Sequence, residues 1–133
     1  MKTYTPFSIC YEDTDAGGVV YHSKYLGFAE RARMDFLHEH GIYCKDMAAM
    51  EKPCGFMVKH CELDYRTPAR LEDELVVETE ILELRGAGFD CLQTVKRGDE
   101  TIVEIKLRIV CVTTGGRPTR IPPEIRTKLA EIS

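Results

Sequence analysis

The chain has 133 residues, 44% of them hydrophobic, enough for one domain with a core that needs neither disulfide nor metal to hold it. Its 18 Lys plus Arg against 22 Asp plus Glu give a net charge of −4 with no basic run, so nucleic acid is not an expected partner. No apolar stretch reaches the roughly 20 residues of a membrane helix, and MKTYTPFSIC at the N-terminus lacks a signal peptide's apolar core, so a cytoplasmic location without a membrane span is the expectation.

In chain order, Phe7 to Glu12 alternate, with Phe7, Ile9 and Tyr11 on one face of an expected first strand. From about His22 to His40 the period changes. Tyr25, Phe28, Ala29, Ala32 and Phe36 form an apolar helical stripe, and Gly41 stands where a helix would stop. Four further strands are expected, at residues 57–66, 75–84, 89–96 and 102–112. In the last, Val103, Ile105, Leu107, Ile109 and Cys111 face one way. The turns at 85–88 and 97–100 are short, which implies antiparallel neighbours. Pro123 suits the first turn of a short C-terminal helix. The order of strand, long helix and four strands predicts an α+β fold, one helix lying along an antiparallel sheet, in a single domain spanning 1–133. The uncovered edges of such a sheet predict pairing with another copy.

The six cysteines, Cys10, Cys44, Cys54, Cys61, Cys91 and Cys111, include no CxxC pair and no Cys/His cluster at ligand spacing. No metal or other cofactor is expected.

Residues 11–25 read YEDTDAGGVVYHSKY, which holds more chemistry than a chain reversal needs. Gly17 and Gly18 admit positive φ and a close approach to the backbone. They precede a helix start, whose free N–H groups and positive dipole end suit an oxyanion. Asp15 is placed to attack a carbonyl or to activate water, and His22 to orient substrate. The structural alternative is an Asx turn or cap at Asp13 or Asp15, with glycines that only make a loop and a surface His22. Asp13 is read as structural even where Asp15 is functional. Arg66 and Arg70 are candidate phosphate partners, against solvation or pairing with nearby carboxylates. His38, His40 and His60 are read as capping or surface residues. No GxSxG, Walker loop or GxGxxG occurs.

The run YEDTDAGGVVYHSKYLGFAERAR, residues 11–33, resembles the signature of hotdog-fold acyl-CoA thioesterases of the 4-hydroxybenzoyl-CoA thioesterase type, most of all the Tol-Pal-associated branch. DYRTPARLED, residues 64–73, supports the same resemblance. It implies a long helix wrapped by a curved antiparallel sheet, a homodimer or homotetramer, and an active site at the subunit interface. The family's essential carboxylate falls on Asp15, and its carbonyl-polarising helix-start amide on His22. Tyr11, Gly18 and Tyr21 match motif positions near the substrate. Relatives often carry Ser where this chain has Gly88. The resemblance implies hydrolysis of an acyl-CoA to a carboxylic acid and CoA. The alternatives are a hotdog hydratase or dehydratase, whose Asp-to-His spacing differs, and a non-catalytic acyl-CoA-binding partner module.

Overall fold

The computed structural model describes residues 1–133. Five strands, β1 (Thr3–Ser8), β2 (Cys54–Tyr65), β3 (Glu74–Leu84), β4 (Gly88–Arg97) and β5 (Glu100–Thr113), form one antiparallel sheet in the order β1-β3-β4-β5-β2. Three helices accompany it: α1 (Lys24–Glu39), α2 (Cys44–Ala48) and α3 (Pro123–Ile132). The β4–β5 hairpin closes through Gly98 and Asp99, with Gly98 at φ 60°, the left-handed geometry that a two-residue hairpin turn requires.

Strict alternation in β5 puts Val103, Ile105, Leu107, Ile109 and Cys111 into the core, as expected from their spacing. The predicted stripe on α1 faces them: Tyr25, Phe28, Ala29, Ala32 and Phe36 are all buried. Fully buried Ala29 and Ala32 let the helix approach the sheet closely. One polar residue, Gln93 of β4, sits in that contact with its amide satisfied. Its Nε2 donates to Ala29 O at 2.8 Å and to Thr79 Oγ1 at 3.0 Å, and its Oε1 accepts from Arg33 at 2.9 Å. Such a network has geometric requirements that apolar packing lacks, so it fixes the rotation of α1 over the sheet.

Gly41 ends α1 as the sequence suggests. At φ 76° it donates to His38 O, and the Ile42 N–H reaches Leu37 O at 2.8 Å. This is a Schellman stop, and Leu37 and Ile42, at the two positions such a motif brings together, are both buried.

Two expectations need correction, and one helix was not expected. The first strand is Thr3–Ser8, not Phe7–Glu12, because its pairing with β3 ends at Ser8↔Glu74 and Tyr11–Asp13 then forms a 3-10 turn. Phe7 and Ile9 do face inward, but Tyr11 is 81% exposed. The strand expected at 57–66 begins earlier, at Cys54, and a bulge between Val58 and His60 interrupts its register with β5. The one-turn α2 carries no periodic signal of its own; its buried residue is Met47.

Candidate active site

Residues 13–21 form a small hairpin, with a Thr14↔Val20 bridge and the Asp15 N–H donating to Val19 O at 2.9 Å. At its tip the Gly18 N–H returns to Asp15 O at 3.1 Å, and the Gly17 N–H donates to Asp15 Oδ1 at 2.8 Å. Gly18 has φ 81°, which an ordinary side chain rarely adopts. Asp15 therefore does form the Asx turn that the structural alternative required. Only Oδ1 is used, however, and Oδ2 is free on an exposed side chain. The turn fixes the carboxylate without consuming it.

Asp13 has a different environment and is only 5% exposed. Its Oδ2 accepts the Cys10 N–H at 3.0 Å and lies 3.3 Å from the Cys10 thiol, Oδ1 lies 3.3 Å from Lys24 Nζ, and its backbone carbonyl accepts the Tyr21 N–H. Burial pushes this carboxyl up, but Cys10 and Lys24 outweigh burial and hold it below its ordinary 3.8. Asp13 thus ties the strand end, the hairpin and the helix start together. The potential ligand atoms of Cys10, Glu12 and Asp13 do cluster within 4.8 Å, yet the ammonium of Lys24 already neutralises the Asp13 charge there. The donor set does not suit a resident cation.

At the start of α1 the Tyr21 C=O accepts the Lys24 N–H at 2.9 Å, and the His22 C=O accepts the Tyr65 hydroxyl at 3.0 Å. Ser23, the N-cap residue, makes no side-chain cap hydrogen bond. The N–H groups of His22 and Ser23 donate to no acceptor in the chain. They sit at the positive end of a 16-residue helix, where an oxygen carrying negative charge is stabilised. The His22 ring lies against Tyr21, centroids 4.4 Å apart.

A cavity of about 200 Å³ adjoins this helix start, formed by His22, Tyr25, Tyr65, Arg66 and the Thr67–Pro68 turn. Arg66 borders it but is paired with Asp64 and Glu104, each at 3.1 Å. Arg70 is brought to the motif through a Val19↔Arg70 bridge, beside which the Val20 N–H donates to Ala69 O. Asp15 and Gly18 thus share one turn, while Tyr21, His22 and Arg66 gather at the helix start. Tyr11 stands apart on the 3-10 turn, and neither of the two cavities beside the motif is lined by Asp15, while His22 lines only the one at the helix start. His60 is a surface residue 3.2 Å from Glu62.

Cysteine is an unsuitable nucleophile in the core: burial pushes the Cys91 thiol up to about 12, and burial beside Cys54 does the same for Cys111. At Gly88 a side chain has no room, since an added Cβ would lie 2.0 Å from Ile109 O. Tyr65, within DYRTPARLED, has no site role in the sequence reading. The available signal was an aromatic with a hydroxyl at the end of a strand.

Residues 11–129 match the thioesterase-like superfamily. The chain belongs to that superfamily. This thioesterase-like chain is 40% identical over 108 residues to the acyl-CoA thioester hydrolase YbgC of Escherichia coli, spanning 80% of this chain and 79% of the relative. It is 38% identical to the acyl-CoA thioesterase YbgC of Haemophilus influenzae, over 91% and 89% of the two chains. The crystal structure of a probable thioesterase from Bartonella henselae superposes with a TM-score of 0.88 at 32% identity, covering 92% of this chain and all of the other. The fold of this thioesterase-like chain is accordingly the hotdog arrangement, with α1 as the long helix and β1 to β5 as the sheet.

Proposed function

We propose that this chain, as one hotdog thioesterase domain over 1–133, hydrolyses acyl-CoA thioesters to a carboxylic acid and free CoA. The observation that carries the reading is the unpartnered N–H groups of His22 and Ser23 at the start of α1, next to a hairpin that holds one free carboxylate oxygen on Asp15. Hydrolysis needs both parts. The thioester carbonyl is polarised by the N–H groups of His22 and Ser23, which also receive the negative charge that develops on its oxygen. Asp15, through Oδ2, takes a proton from a water that attacks the carbonyl carbon, or attacks that carbon itself to give an anhydride that water then cleaves to the acid and free Asp15; in either case the C–S bond breaks and the CoA thiolate leaves. His22 lines the same space with its imidazole. Relatives named acyl-CoA thioester hydrolase support the reaction class.

Tyr21 and Gly18 border the approach to the reacting carbonyl, with Tyr11 further along the motif loop. Arg70 and Arg66 are the cations near enough to this region to meet CoA phosphates, Arg66 only by exchanging its present carboxylate partners. We further propose a cytoplasmic homodimer or homotetramer. The edge strand β2 exposes Met57 and Val58, an apolar edge of the kind that proteins pair or cover, and a second copy would wall the space that Asp15 and His22 leave open. No helix is long and apolar enough to cross a membrane.

The test is a panel of short, long, branched and aromatic acyl-CoAs scored by free thiol, with light scattering on the same preparation. Thiol release from at least one class by an oligomer is the expected result. Loss of enoyl-CoA absorbance without thiol would indicate a hydratase, and ligand binding without turnover a binding module.

A further inference from the structure

We propose that Tyr65 is a positioning residue of the hydrolytic site, whose hydroxyl holds the His22 carbonyl and so aims the Ser23 N–H as a second donor to the oxyanion. The inference rests on the thioesterase reading above and names a part of that same site. A trans peptide is planar, with its N–H and C=O pointing in opposite directions, and the chain has no cis peptide bond. Fixing one end of the unit therefore fixes the direction of the other.

Two successive peptides at the start of α1 are fixed in this way. In the Tyr21–His22 unit the carbonyl is held by the Lys24 N–H at 2.9 Å, leaving the His22 N–H open. In the His22–Ser23 unit the carbonyl is held by Tyr65 at 3.0 Å, leaving the Ser23 N–H open. The helix ladder accounts for the first but not the second. It uses the carbonyls of Tyr21 and Ser23, the latter taking the Leu26 N–H at 3.2 Å, and passes over that of His22. Without Tyr65 that carbonyl faces water and the unit is free to rock.

Tyr65 is itself held in place, 43 residues away in sequence. It closes β2 opposite Val103, its ring meets Tyr25 edge-on at 5.9 Å, and the Tyr25 hydroxyl accepts the Ala69 N–H at 3.1 Å. Yet it is 49% exposed, so its hydroxyl is not explained by the need to satisfy a buried group. A rigid donor costs no reorganisation as charge develops, which is the condition under which oxyanion contacts accelerate a reaction.

The test uses the full chain with Tyr65→Phe, which removes only the hydroxyl, and Ser23→Pro, which removes the N–H at a φ of −78° that proline accepts. Deleting an oxyanion donor lowers kcat about 100-fold or more, so Ser23→Pro is expected to do so, and Tyr65→Phe, which only loosens it, roughly 10-fold with KM little changed. The double variant should be no slower than Ser23→Pro alone. Binding of a CoA trifluoromethyl ketone, whose hydrate is tetrahedral and becomes an oxyanion on losing one hydroxyl proton in the site, should weaken in Tyr65→Phe by the same factor as kcat, while a CoA thioether binds unchanged. A folded Tyr65→Phe protein with wild-type kcat, equal weakening of both ligands, or full additivity in the double variant overturns the proposal. Wild-type protein that releases no thiol from any acyl-CoA removes the thioesterase reading itself, and the proposal with it.

Discussion

Along β4 and β5 the side chains that face α1, from Phe89 to Val95 and from Val103 to Cys111, are at most 4% exposed. Across residues 15–19 and 21–23 no side chain is buried. The first region is held by apolar burial, at about 1.5–3 kcal/mol for each large aliphatic side chain. The second is held by directional links: the Asp15 Asx turn, the Asp13 contacts, the Val20 N–H on Ala69 O, and Tyr65 on the His22 carbonyl. The difference separates stability from chemistry. Substitutions in the sheet should alter how much protein is folded, and substitutions in the hairpin should alter what the folded protein does.

The largest effect on stability is expected in the sheet. Gly88→Ser drives a Cβ against the Ile109 carbonyl at the start of β4, where the obstacle is backbone rather than a mobile side chain. Overpacking of this severity costs about 3 kcal/mol, to be read from urea unfolding. Turnover per folded molecule should remain close to wild type, and a variant as stable as wild type would show that the two strands separate easily at that point.

A smaller effect, which sharpens the boundary between the regions, is expected at Asp13, a buried carboxylate inside the polar region. Asp13→Asn keeps an acceptor for the Cys10 N–H but loses the charge facing Lys24, a change worth about 1–2 kcal/mol at pH 7. Because the folded carboxyl lies below 3.8, its contribution is present above the unfolded value and is lost as pH falls through the folded one. The stability gap between wild type and Asp13→Asn should therefore begin to narrow below about pH 4 and close only once the pH is below the folded value. A gap that persists unchanged into acid would mean the charge is not what Asp13 contributes.

Legibility in the sequence divides along the same line. The β5 alternation and the α1 stripe were readable because burial on one face imposes a period of its own, and Gly41 was readable because a Schellman stop is local. The extent of β1 was not, because its length is set by pairing with β3, some 70 residues on, and by the Asp13 carboxylate drawing Cys10 out of the strand. Tyr11 continued the alternation by letter but fell in the 3-10 turn. In the site, Asp15 was legible both as a turn residue and as a candidate catalytic carboxylate; the geometry contains the turn and leaves one carboxylate oxygen unused. Tyr65 carried no readable role because its partner is a backbone carbonyl, which no sequence pattern encodes.

The most direct test of the central claim is Asp15→Asn, followed by thiol release and thermal melting on one preparation. Asn retains an Oδ1 for the Gly17 N–H, so the Asx turn survives and stability should change by no more than about 0.5 kcal/mol. An amide is neither a useful nucleophile nor a base, and loss of general-base catalysis alone lowers the rate by roughly 10²- to 10⁴-fold. The account predicts an unshifted melting curve with acyl-CoA still bound and hydrolysis reduced by at least that lower factor. A correctly folded Asp15→Asn protein that turns over at near the wild-type rate would contradict it and leave Asp15 as the corner of a turn.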